Sequence, residues 1–140
     1  MRILLAVDGS AYTKKMLAYL AAHPELLADV SSLTVLTVRP ALPPRARAAL
    51  DKEVVDSYHA DDAAKALDPV VKYLSRQSLK PKAAWKVGPA GETIAKFAEA
   101  GKFDLLIMGS HGQGALSNLV MGSVATQVLA RCKVPVLLVR

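Results

Sequence analysis

Leu105-Leu106-Ile107-Met108-Gly109-Ser110-His111-Gly112-Gln113-Gly114 passes from an unbroken apolar run into a glycine-rich segment, and Gly122-Ser123 follows ten residues after Gly112. The run reads as a buried strand and the glycines as the loop leaving its carboxyl end. The amphipathic stretch beyond them, to about Arg131, reads as a helix. Such a loop presents bare backbone N–H groups, and a helix N-terminus adds the positive end of its dipole. Together they predict an anion site, and the phosphates of a nucleotide are the anion that suits it.

The same alternation runs through the rest of the chain. Residues 2–7 form an apolar run closed by Asp8-Gly9-Ser10, a strand and a turn, with Ser10 placed to cap a helix over about 11–22. His23-Pro24 ends that helix, and Leu33-Thr34-Val35-Leu36-Thr37-Val38 is a second buried strand. Arg39 to Arg47 holds three prolines and reads as a loop, with a lid over the ligand as its functional alternative. A helical segment over about 49–79 carries Ala63, Leu67, Val70, Val71 and Leu74 along one face, and Pro69 is expected to kink it, the alternative being that Asp68-Pro69 caps and starts a second helix. A third strand over 83–87, a turn, a helix over 92–100 stopped by Gly101, the strand 104–108 and a last strand at 134–139 complete the pattern.

Strands that are continuous apolar runs, each followed by a helix, predict an α/β fold. We expect a single Rossmann-like domain over 1–140, a five-stranded parallel sheet of order 3-2-1-4-5 with helices on both faces. Ligands of such sheets bind at the carboxyl ends of the strands, where the strand order reverses. Asp8, Val38 and Gly109 all stand at carboxyl ends, so one crevice collects them. Pro135 restricts the last strand to an edge, and so apolar an edge invites pairing with a second copy through 134–139.

Composition narrows the function classes. With 140 residues, 52% hydrophobic and 21% charged, the chain has the material for one packed core. No apolar run reaches the roughly 20 residues that span a bilayer. The single cysteine, Cys132, has no intrachain partner, which suits a reducing cytoplasm, and it is expected to be a packing residue. The net charge of +6 sits in the second half. Its lysines are scattered between apolar positions rather than interleaved with aromatics, which argues against nucleic acid and is compatible with a polyphosphate ligand. His23 and His59 are expected at the surface, and Trp85 as a packing residue at the sheet edge.

The spacing Gly109-x2-Gly112-x9-Gly122-Ser123 is neither a P-loop nor the GxGxxG of a dinucleotide fold. It resembles the nucleotide-binding signature of the universal stress protein family. The likeness extends in order over Ile3 to Ser10, Val87 to Ala90, Leu106 to Gly112, Gly122 to Val124, and Val134 to Val139. The resemblance implies an ATP-binding stress-response module acting as a homodimer. In it, Asp8 would bond the ribose hydroxyls or help hold Mg²⁺ or Mn²⁺, and Val38 backbone groups would read the adenine edge. Met108 would pack on base or sugar, and Ala6, where many members carry proline, would line the same site. Gly109, Gly112 and Gly114 would let the backbone wrap the phosphates. The Gly122 N–H, the Ser123 hydroxyl and the Val124 N–H would bind the terminal phosphates, and His111 would touch one. The rival reading is a slow Mg²⁺-dependent ATPase relying on Asp8, since Asp104 lies at the wrong end of its strand.

Overall fold

The computed structural model describes residues 1–113 and 118–140. Five strands, β1 (Arg2–Ala6), β2 (Ser32–Arg39), β3 (Lys82–Val87), β4 (Leu105–Gly109) and β5 (Val136–Val139), form one parallel sheet in the order β3-β2-β1-β4-β5. Between them run α1 (Ala11–Ala22), α2 (Pro44–Ala49), α3 (Lys52–Arg76), α4 (Ala90–Ala100) and α5 (Ser123–Arg131). The expected α/β architecture and strand order are both observed.

The sheet is covered on both faces, as apolar strands without alternation require. Ile3, Leu5, Leu33, Val35 and Ile107 point to one face, where Met16 and Leu20 of α1 and Ala63, Leu67, Val70 and Leu74 of α3 close over them. Leu4, Leu36, Leu106 and Met108 point to the other face, against Ile94 and Ala98 of α4 and Ala125 and Val128 of α5. The helices change face where the chain stops adding strands beyond β2 and begins adding them beyond β1. That reversal opens a crevice above β1 and β4.

Several local expectations are refined. Pro69 lies inside a single 25-residue helix, α3, which runs from Lys52 to Arg76. Part of the proline-rich stretch forms α2, started by Pro44 at its first helical position. Pro135 stands just before β5, where its carbonyl accepts the Leu106 N–H and its missing N–H costs no ladder bond. His59 is not a surface residue: it lies on the inner face of α3, 5% exposed, with Nδ1 unpartnered among the described residues. His23 is half-buried and donates from Nδ1 to the Tyr19 carbonyl at 2.9 Å. Trp85 is on the β3 edge as expected but 38% exposed. Among the described residues no helix is long and apolar enough to cross a membrane.

Candidate nucleotide site

Above the carboxyl ends of β1, β2 and β4 lies a half-open cleft of about 310 Å³. Ala6, Asp8, Val38, Met108, Gly109, His111, Gly112 and Val124, all chosen from sequence, line it. Thr13, Ile94 and Gln113 line it too, and sequence reasoning did not place them there, while Arg39 lines it at the start of the stretch weighed as a lid. Gly122 and Ser123 sit at the start of α5, where a Cβ built on Gly122 would lie 3.6 Å from the Gly112 nitrogen. Gly114 lies outside the described residues.

The apolar end is made by strand geometry. The Val7 N–H donates to the Leu36 carbonyl at 2.9 Å, and there β1 stops accompanying β2. In a parallel ladder alternate residues face the same neighbour, so Val38 turns its N–H and C=O to the side that β1 has vacated. Ala6, Met108 and Ile94 supply apolar walls beneath. A donor beside an acceptor over such walls is a receptor for the edge of a planar base.

Asp8 stands at the middle of the cleft. Its Oδ1 accepts from the Ser10 N–H at 2.9 Å and from the Thr13 hydroxyl at 3.0 Å. Oδ2 has no bond among the described residues, and it lies 2.9 Å from where a Cβ on Gly112 would be. Gln113 ties the loop to the same residue by donating to the Asp8 carbonyl at 3.2 Å.

The loop after β4 is closed at its neck. The Gly122 N–H donates to the Ser110 carbonyl at 2.7 Å, and His111 Nε2 contacts the Leu119 carbonyl at 2.7 Å. A carbonyl only accepts, so Nε2 donates here, and Nδ1 is hydrogen-bonded to the Ser110 hydroxyl, 2.8 Å away. Both His111 nitrogens, expected to reach a phosphate, are thus engaged within the protein. The ring is also packed against Tyr12, 4.7 Å between centroids. The Gly122 N–H is likewise committed to the neck. Donors left at this end among the described residues include the first N–H groups of α5, those of Ser123 and Val124, and the exposed Ser123 hydroxyl.

The glycines are needed for different reasons. A Cβ on Gly109 would meet the Tyr12 Cβ at 2.7 Å, so the bare Cα of this glycine admits α1. A Cβ on Gly122 would meet the His111 Cα at 3.0 Å and the Ser110 carbonyl oxygen at 3.2 Å, inside the neck. No Lys or Arg occurs between Gly109 and Val124, so what this segment offers an anion is N–H dipoles and hydroxyls rather than a Lys or Arg side chain. The Arg39 guanidinium is bound elsewhere, to Asp62 at 3.0 Å. Among the described residues no cluster of three potential metal ligands exists. Cys132 is half-buried, and burial pushes its thiol up, with the Glu99 carboxylate adding to the rise against a lowering backbone bond at Val134.

The universal stress protein family model matches residues 1–140. The chain belongs to this family. Among relatives, Universal stress protein Slr1230 of Synechocystis is 33% identical over 139 residues, which is 99% of this chain and 42% of that one. The chain therefore spans less than half the length of that relative. The solved structure of MJ0577, from Methanocaldococcus jannaschii, superposes with a TM-score of 0.81 at 26% identity, covering 99% of this chain and 94% of that one. A universal stress protein of Archaeoglobus fulgidus, solved in complex with dAMP, shares the fold at TM-score 0.66 and 22% identity, over 100% and 98% of the two chains.

Proposed function

We propose that this family member binds an adenine nucleotide, with ATP the form its site suits best, and that it acts as a nucleotide-responsive homodimer in the cytoplasm. The observation that carries the reading is the convergence on one cleft of the Val38 donor–acceptor pair, the free Asp8 oxygen and the first N–H groups of α5. The dAMP complex of the Archaeoglobus fulgidus protein supports it. Adenine presents an acceptor at N1 and a donor at N6, which match an N–H beside a C=O. Guanine presents the opposite pair. The ribose lies at Asp8 and the phosphates run toward Ser123 and Val124. A Mg²⁺ or Mn²⁺ ion would rest on Asp8 and the phosphates together, the usual arrangement for Mg²⁺, since one carboxylate alone makes no metal site. Among the described residues Asp8 is the only carboxylate lining the cleft, which is meagre equipment for hydrolysis.

Calorimetric titration tests this. ATP with Mg²⁺ is expected to bind at about micromolar Kd and GTP at least roughly tenfold more weakly, the cost of opposed hydrogen-bonding groups. Equal affinities would remove Val38 from base reading, and no binding of either would remove the nucleotide.

The dimer is proposed through β5, the apolar edge beside β4. Val139 is 7% exposed, so a charge there would test folding rather than association. The carbonyls of Pro135 and Val139 face β4, so the Val136 N–H points outward. Val136→Pro, which removes that donor while leaving the inward ladder intact, is expected to convert the dimer to monomer in sedimentation velocity. An unchanged sedimentation coefficient would place the contact elsewhere.

A further inference from the structure

We propose that Thr13 is a positioning residue of the nucleotide site, fixing one oxygen of Asp8 so that the other is presented to the ribose hydroxyls. The proposal rests on the nucleotide reading above and adds to it a residue that no motif contains.

Thr13 is 6% exposed and lines the cleft. Its hydroxyl is bonded twice to the same residue. It accepts the Asp8 N–H at 3.2 Å and donates to Asp8 Oδ1 at 3.0 Å. Backbone and side chain of Asp8 are thereby held in one orientation. The second donor to Oδ1 is the Ser10 N–H at 2.9 Å. With Oδ1 saturated, Oδ2 is the oxygen left to face Gly112 and the cleft.

Helix capping does not account for this hydroxyl. The N-cap of α1 is Ser10, whose side chain accepts the Tyr12 N–H at 3.2 Å. Thr13 stands at the third helical position, where a capping box carries Glu or Gln reaching back to the cap. Its oxygen instead reaches past the cap to Asp8, outside the helix. Threonine suits the task because its branched Cβ restricts χ1 and holds the hydroxyl in one rotamer. An unrestrained carboxylate would divide its time between orientations, and a ligand would have to immobilise it at a cost in affinity.

The test compares ATP with 2′,3′-dideoxy-ATP, which lacks the hydroxyls but keeps base and phosphates. In the unaltered chain ATP is expected to bind about tenfold more tightly than the dideoxy form, the worth of one charge-assisted hydrogen bond. Thr13→Val keeps the shape and removes the hydroxyl. It should bring the two affinities within roughly twofold by weakening ATP alone, while Thr13→Ser retains most of the preference. In an Asp8→Ala background Thr13→Val should change the ratio no further.

Equal weakening of both nucleotides by Thr13→Val would show a purely architectural role and overturn the proposal. An unchanged ratio would overturn it too. Equal binding of ATP and its dideoxy form by the unaltered chain would remove Asp8 from the ribose, whereas failure to bind either would remove the nucleotide site itself. A Thr13→Val chain that does not fold leaves the decision to Thr13→Ser: serine has a freer χ1, and a ratio equal to that of Asp8→Ala would overturn the proposal.

Discussion

Gly122→Val is expected to weaken ATP binding by about 100-fold, while adenosine binds nearly as before. The residue has φ −74°, which any amino acid adopts, so the effect is steric. Its Cβ would press on the His111 Cα and the Ser110 carbonyl oxygen, both backbone atoms that cannot swing away. The 2.7 Å bond from the Gly122 N–H to Ser110 would open, and the start of α5 would move from the cleft with its free N–H groups. The base and ribose end, built on Val38, Asp8 and Met108, is attached to other elements. Calorimetry with the two ligands separates the cases, and parallel loss of adenosine would mean the whole cleft had collapsed. Gly112→Ala makes an instructive contrast, because the atom its Cβ would meet, at 2.9 Å, is Oδ2 of the Asp8 carboxylate rather than the backbone of the neck.

Ile107→Ala is expected to destabilise the fold by about 2–5 kcal/mol, the range for truncating a large aliphatic side chain in a packed interior. Ile107 is fully buried on β4, between β1 and β5, and belongs to the core under α1 and α3. A strand paired on both sides and covered on both faces cannot relax to fill the void. The melting temperature should fall by roughly 10 °C, and the urea midpoint should fall with little change in m value. The same truncation at Val120, 77% exposed, should stay within about 0.5 kcal/mol. A small effect at Ile107 would mean that the sheet tolerates a cavity at its centre.

The fold was legible because its signals are local and redundant. Leu33 to Val38 and Leu105 to Met108 are too apolar for a half-exposed strand, and a helix follows each, which leaves a parallel sheet as the arrangement that satisfies both. Ser10 marked the start of α1 to the residue, since the capping hydroxyl is specific to that position. A lone histidine in a charged stretch reads as solvated, yet His59 falls on the buried face of α3 with Ala63, Ala66 and Val70. The stretch 83–87 reads as a third strand, and β3 is exposed along most of its length because it stands at the edge of the sheet, with β2 its one neighbouring strand among the described residues.

The site divides along the same line. The chain's sequence determined that a glycine loop follows a buried strand and precedes a helix start, and that Asp8, Val38 and Gly109 end neighbouring strands. Those properties belong to consecutive residues and to the period of each element. Tertiary structure alone decided what each group is free to do. It spent the Gly122 N–H and both His111 nitrogens on the neck of the loop, and set the bare Cα of Gly109 against Tyr12. It also joined Thr13 to one oxygen of Asp8 and left the other open. A hydrogen-bonding group is available to a ligand only when no protein group has claimed it, and the claimants here come from β1, β4, α1 and α5 at once. Their meeting is a property of packing in three dimensions, which no spacing along the chain records.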